Sequence, residues 1–268
     1  MKKAVKNIKQ EMLQEEIAPI SKVDAKLMYT RLPFEQYFID QSLGNYGGTP
    51  RFIIPYIKVE YKCRHNQPHD AYYAVIYDEQ RDVIQIYLKE TSSKSQWAAN
   101  FNFPDAYFDR FKYNGNDIQL KVARGWSDLY SALKTNIRQE YAALAKKYPS
   151  REVEIIGWSL GSAIAQLCAE DLYYQTNFTV KAHVFTFGSV KPFCGRDKNM
   201  RAYLADCCKE CYNFRDNNDI VGYLVPLKNY FAINHITVQQ DKFSIFRLFK
   251  AKKYHTEYYK TALYLGIN

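Results

Sequence analysis

The sequence of 268 residues contains no apolar run approaching the roughly 20 residues needed to cross a bilayer as a helix. After Met-Lys-Lys it also lacks the apolar stretch of about 7 to 15 residues that a secretory leader carries. The expectation is a cytoplasmic chain whose contact with membranes is at most peripheral. No repeat, low-complexity tract or Pro/Gly-rich linker divides it, so it reads as one domain over residues 1–268. Glycine is scarce, with 11 in all, which gives weight to any motif that uses several of them.

Cysteine is sparse too, and the six present are expected to be reduced thiols. Cys208 and Cys211 form a C-x-x-C with no second pair at zinc-site spacing, and Cys63, His65 and His69 lie in a polar stretch without a fourth ligand. That stretch reads as a surface loop, and neither metal nor organic cofactor is expected. Lys and Arg outnumber Asp and Glu 37 to 28, and the net charge of +9 favours anionic partners. Missing, however, are a dense basic run of about 5 to 8 residues and an aromatic RNA-binding motif, so no nucleic-acid partner is expected.

What is present alternates between two hydrophobic periods. Val5, Ile8, Met12 and Leu13 recur at helical spacing, predicting an amphipathic N-terminal extension over residues 1–31. Strands are predicted over 71–77 and 83–88, separated by the polar turn 78–82. Leu129, Leu133, Ile137, Tyr141 and Leu144 mark a long helix ending near Pro149. A short strand over 153–156, a helix over 160–172 and strands over 180–187, 210–214 and 231–238 complete the pattern. Alternating strands and helices predict an α/β fold with a mostly parallel sheet covered on both faces.

The strand over 153–156 runs into Gly157-Trp158-Ser159-Leu160-Gly161. A G-x-S-x-G triplet arises by chance in roughly one chain in ten of this length. Here it joins an apolar strand to an Ala-rich helix, the setting in which a serine at a sharp turn serves as a nucleophile. Backbone N–H groups at the start of that helix point at charge developing on a substrate carbonyl, and Leu160 is the expected oxyanion donor.

A serine nucleophile of this kind takes an acid and then a histidine from later in the chain. His183, His235 and His255 follow Ser159. The first lies within an apolar strand ahead of any acid candidate, and the second sits mid-strand between Ile233 and Ile236. His255 is favoured because it opens a terminal helical pattern. Asp216 and Asp219 both follow the strand ending at Phe214, and either one suits the acid.

These residues resemble the class 3 lipase family over most of the chain, from about Val83 to Leu265. Ile155 to Ala163 is similar to the family elbow, Val184 to Val190 to its next strand and glycine turn, and Asn218-Asp219-Ile220-Val221 to the segment carrying the triad aspartate. His255 with Tyr258 and Tyr259 is similar to the segment carrying the triad histidine. The resemblance implies an α/β-hydrolase fold, a lipid or other acyl-ester substrate, and a triad of Ser159, Asp219 and His255. It favours Asp219 over Asp216.

Leu88 to Ser92 and Gln96 to Asn100 stand where the family has F-R-G-T and D-W-x-x-N, which implies Thr91 as second oxyanion donor and places Trp97 near the substrate. Trp158 replaces the usual histidine before the nucleophile. It is expected to contact substrate, or to turn its side chain away from the reaction. Lys89-Glu90 replaces Arg-Gly, and a glutamate beside a forming oxyanion opposes it. A catalytically weak hydrolase-fold protein acting as a lipid-binding or interaction module is therefore the competing expectation. Aromatics from Trp97 to Phe111 are expected to form either core or an amphipathic lid. Residues 242–253, which mix Phe, Ile and Leu with Lys and Arg, are expected either to lie on an anionic membrane surface or to form a solvated loop.

Overall fold

Runs of β-branched and aromatic residues form a continuous set of strands in the computed structural model, which describes residues 55–62, 68–79, 81–89, 105–216, 219, 230–233, 237–238 and 255. Strands β1 (Ile57–Lys62), β2 (Pro68–Asp78) and β3 (Val83–Leu88) are joined antiparallel. From β3 onward the pairing is parallel, through β6 (Glu152–Trp158), β7 (Ala182–Phe187) and β9 (Cys208–Asp216) to β11 (Thr237–Val238). The order is β1-β2-β3-β6-β7-β9-β11. Every residue of β3 and β7 is buried, as is all of β6 after Glu152. Strands buried on both faces need cover on both sides, which is why their sequences run apolar without alternation.

Helix α1 (Arg124–Lys147) buries Trp126, Leu129, Tyr130, Leu133 and Ile137, one stripe at helical spacing, against the sheet. It ends on Lys146 and Lys147, which complement the negative end of the helix dipole. Helix α2 (Leu160–Gln175) is buried on every side from Gly161 to Tyr173 and packs on α1, β6 and β7. A third helix, α3 (Lys198–Asp206), is capped by Asp197, whose side chain accepts a hydrogen bond from the Met200 N–H. Each Ile, Leu or Phe withdrawn from water in this core contributes about 1.5–3 kcal/mol.

Three differences from the sequence reading stand out, and one of its open alternatives, core or lid, is decided at Phe111. Residues 105–123 form a hairpin of β4 (Asp105–Tyr113) and β5 (Asn116–Ala123), turning at Asn114 and Gly115 with φ of +47° and +77°. Phe111 in β4 packs its ring against Tyr174 and Tyr203, so it belongs to the core. The strand expected over 231–238 is two separate pieces: β10 (Tyr230–Phe231) pairs with β8 (Phe193–Cys194), while β11 joins the main sheet. His69 is not in a loop but in β2, 6% exposed, with its ring 5.6 Å from that of Tyr61.

Cys168, Cys194, Cys207, Cys208 and Cys211 are buried, and no disulfide joins them among the described residues. Among the described residues no helix is long and apolar enough to cross a membrane. The expected helix over 1–31, Cys63, His65, and the aromatic residues Trp97, Phe101 and Phe103 lie outside the described residues.

Candidate active site

Ser159 occupies the junction between β6 and α2 with φ of +54° and ψ of −119°. A non-glycine residue rarely adopts this conformation, which costs about 1–3 kcal/mol and must be held by its surroundings. Those surroundings are specific. The Ser159 N–H donates to the Phe187 carbonyl at 2.8 Å, tying the turn to the end of β7, and its own carbonyl accepts from the Ser162 N–H at 3.0 Å. Ser162 Oγ in turn accepts from the Val190 N–H at 3.1 Å, so the first turn of α2 is fastened to the loop after β7.

The two glycines of the pentapeptide answer to space. A Cβ on Gly157 would lie 2.2 Å from the Gly161 carbonyl oxygen, and one on Gly161 would lie 2.2 Å from the Leu88 carbonyl oxygen. Both contacts are with backbone, which has no rotamer to yield. The pentapeptide therefore passes close to itself and to the end of β3 at once, and Leu160 opens α2 where helix N–H groups collect.

His255 is 6% exposed and Asp219 is fully buried, and His255 Nδ1 lies 2.8 Å from Asp219 Oδ2. The imidazole stands beside Gly188, the residue following β7: a Cβ on Gly188 would fall 2.6 Å from His255 Cε1 and 3.2 Å from Trp158 Nε1. Phe187 pairs with Trp158 across β6 and β7, so the imidazole sits at the same carboxyl-end rim of the sheet as Ser159. Asp216 ends β9, where it pairs with Val238, while the contact to His255 comes from Asp219. His183 is a core group of β7, with Nδ1 2.9 Å from Glu210 Oε2. His235 lies outside the described residues.

Trp158 does not turn away from this centre. It is 1% exposed, and its ring centroid is 6.3 Å from that of His255 at an interplanar angle of 48°. Gly188 went unnoticed as a site residue from sequence. The available signal was a glycine directly after a buried parallel strand, at the edge where ligands of such sheets bind.

Lys89 is the last described residue before the segment expected to supply the second oxyanion donor. Its N–H donates to the Tyr72 carbonyl at 3.2 Å, and its ammonium stands 5.3 Å and 5.2 Å from the ring centroids of Tyr56 and Tyr72. Glu90, Thr91, Trp97 and residues 242–253 lie outside the described residues.

Comparison with known proteins gives consistent results. The family described as Lipase (class 3) matches residues 86–229. A lipase of Rhizomucor miehei is 27% identical over 158 residues, which are 59% of this chain and 42% of that protein. The chain thus spans about two fifths of the length of that relative. Among solved structures, the lipase of Rhizopus microsporus var. chinensis superposes with a TM-score of 0.60 at 17% identity, covering 85% of this chain and 79% of the other. The Rhizomucor miehei lipase propeptide complex gives 0.57 at 22% identity, over 84% and 71% of the two chains. A triacylglycerol lipase whose catalytic centre is formed by a serine protease triad gives 0.53 at 21% identity, over 69% and 67%. At these identities the structural likeness establishes the α/β-hydrolase fold. The matched segment covers more than half of the sequence, running from β3 through the elbow and past Asp219, and the chain belongs to the class 3 lipase family.

Proposed function

We propose that the protein is a serine hydrolase of carboxylic esters, with lipid esters as its substrate class and Ser159, His255 and Asp219 as its catalytic residues. The observation that carries this reading is the strained Ser159 backbone at the same sheet rim as a buried histidine held at Nδ1 by a carboxylate. An ionised carboxylate only accepts, so Nδ1 donates to Asp219 and Nε2 is left as the basic nitrogen.

In this scheme Nε2 takes the Ser159 hydroxyl proton as Oγ attacks the ester carbonyl carbon. The Leu160 N–H, with Thr91 as second donor, stabilises the oxyanion. Collapse of the tetrahedral intermediate breaks the ester C–O bond, and the imidazolium gives its proton to the departing alcohol. Water, deprotonated by the same nitrogen, then releases the acid from the acyl-enzyme. All of these steps run on the chain's own residues. The net charge of +9 and the basic, aromatic segment 242–253 support approach to an anionic lipid surface, with phospholipid as a substrate alongside neutral esters.

The test is turnover of short and long p-nitrophenyl esters and of phospholipid vesicles by wild type and Ser159→Ala. Turnover of at least one of these substrates by wild type, lost in the alanine variant, is the expected outcome. Equal rates in the two proteins, with salt-dependent binding of anionic vesicles, would replace the enzyme reading with a lipid-binding module.

A further inference from the structure

A hydrogen bond at Nδ1 fixes where an imidazole is, whereas the ring plane is set by what packs against its faces and edges. Transfer of a proton from Ser159 through Nε2 needs the ring plane fixed as well, because a misplacement of about 1 Å costs on the order of 10²-fold in rate. Two residues outside the triad pack beside the ring. Gly188 has φ of +57°, a conformation that leaves open the position where a side chain would meet His255 Cε1 at 2.6 Å and Nδ1 at 3.0 Å. The same point is 3.2 Å from Trp158 Nε1, so the glycine backbone faces both rings together. Trp158, buried and tilted 48° to the imidazole with ring centroids 6.3 Å apart, flanks the ring next to Gly188.

We infer that Trp158 and Gly188 form a slot that seats the His255 ring, with Trp158 a positioning residue for the reaction. This inference rests on the hydrolase reading above. It also changes the role of Trp158 from substrate contact to support of the base, in keeping with an indole that is 1% exposed. The arrangement links the nucleophile and the base by the shortest route the chain offers. The residue directly before Ser159 in β6 touches the surroundings of a histidine that arrives 97 positions later, so the elbow that places Oγ also places the ring that must deprotonate it. Rings suit this task because they have few rotamers to lose and keep their place once packed.

Trp158→Ala, Trp158→Phe and Gly188→Ala test the slot through steady-state kinetics on the p-nitrophenyl ester that wild type turns over, together with thermal melting. Removing the wall is expected to lower kcat about 100-fold with KM within about twofold, while Trp158→Phe retains kcat within about threefold because a ring still fills the space. Gly188→Ala, which drives a methyl group against the imidazole, is expected to lower kcat by a comparable factor, again without a change in KM. A Trp158→Ala protein that melts cooperatively and matches wild-type kcat would overturn the slot while leaving the hydrolase reading intact. Should Trp158→Ala fail to fold, Gly188→Ala and Trp158→Phe decide: wild-type kcat in Gly188→Ala, or a loss in Trp158→Phe equal to complete loss of the base, overturns it. Absence of any Ser159-dependent turnover in wild type removes both readings together.

Discussion

His255 and Asp219 stand 36 positions apart in sequence and meet at 2.8 Å in a part of the structure where both are buried. A carboxylate at Nδ1 selects the ring tautomer whose other nitrogen is basic, and in the proposed mechanism it stabilises the imidazolium. Asn in place of Asp219 keeps the shape but can present its NH2 to Nδ1, which selects the wrong tautomer. Asp219→Asn is expected to lower kcat about 10⁴-fold with little change in KM. Asp216→Asn, at a position that takes part in the ladder to Val238, is expected to stay within about threefold of wild type. Steady-state kinetics of the two variants side by side settle the assignment, and a larger loss at Asp216 would reverse it.

At Gly161 the elbow lies against the end of β3. A methyl group there meets the Leu88 carbonyl oxygen at 2.2 Å, so either α2 or the end of β3 has to move. Overpacking against backbone costs about 3 kcal/mol, at the upper end of the usual range because no side chain can give way. For a chain of this size that is a fall in melting temperature of about 6–12 °C. Activity is expected to fall with it, since Leu88 leads into the segment assigned to the oxyanion. A Gly161→Ala protein with unchanged melting temperature would show that the contact relaxes at no cost.

The elbow was legible in the sequence because everything that specifies it is local: an apolar strand, five residues with glycines at fixed spacing, and a helix behind them. Strand β3 was legible from end to end for a similar reason, since the turn before it is polar and Asp82 adopts a φ of +57°. The β4–β5 hairpin was hidden by its aromatic density, although Asn114-Gly115 is a strong hairpin signal. His69 looked like a loop residue among polar neighbours, yet it shares a face with Ala71 and Tyr73 at the period of two expected of a strand. The orientation of Trp158 was out of reach. It depends on which side of the sheet rim receives His255, and pairings across nearly a hundred residues leave no trace in local periodicity.

Acid sensitivity has an identifiable contributor at Asp206. Its hydrogen bond with Lys181, then those with Tyr113 and Tyr173, hold its carboxyl below the ordinary value of 3.8. With a lowered native value the unfolded chain takes up the proton first, so this stabilisation is full above pH ~4 and is lost as pH falls through the native value. The carboxylate side chain is 43% exposed, so solvent screening keeps the effect under about 1 kcal/mol. Denaturant unfolding between pH 5 and pH 2.5 should show a shallower loss of stability in Asp206→Asn than in wild type. Identical slopes would assign the acid limb to other carboxylates.

Lys89 stands where this chain departs from the family pattern, two residues ahead of Thr91. Its ammonium is shared between the rings of Tyr56, just ahead of β1, and Tyr72, on β2, while its N–H continues the ladder to β2. Two partly exposed cation–π contacts together contribute about 1–2 kcal/mol, enough to fix the direction in which the chain leaves β3. Removing this support at the end of β3 leaves Thr91, the proposed second donor, in the sequence. Lys89→Ala is therefore expected to lower kcat by about tenfold, short of the 10²–10³ that outright loss of an oxyanion donor costs. Lys89→Arg keeps a cation over both rings and should restore most of the rate. Kinetics of the three proteins on one ester, read beside their melting temperatures, give the answer. A Lys89→Ala protein that loses stability but keeps full kcat would mean the tyrosine clamp serves the sheet edge alone.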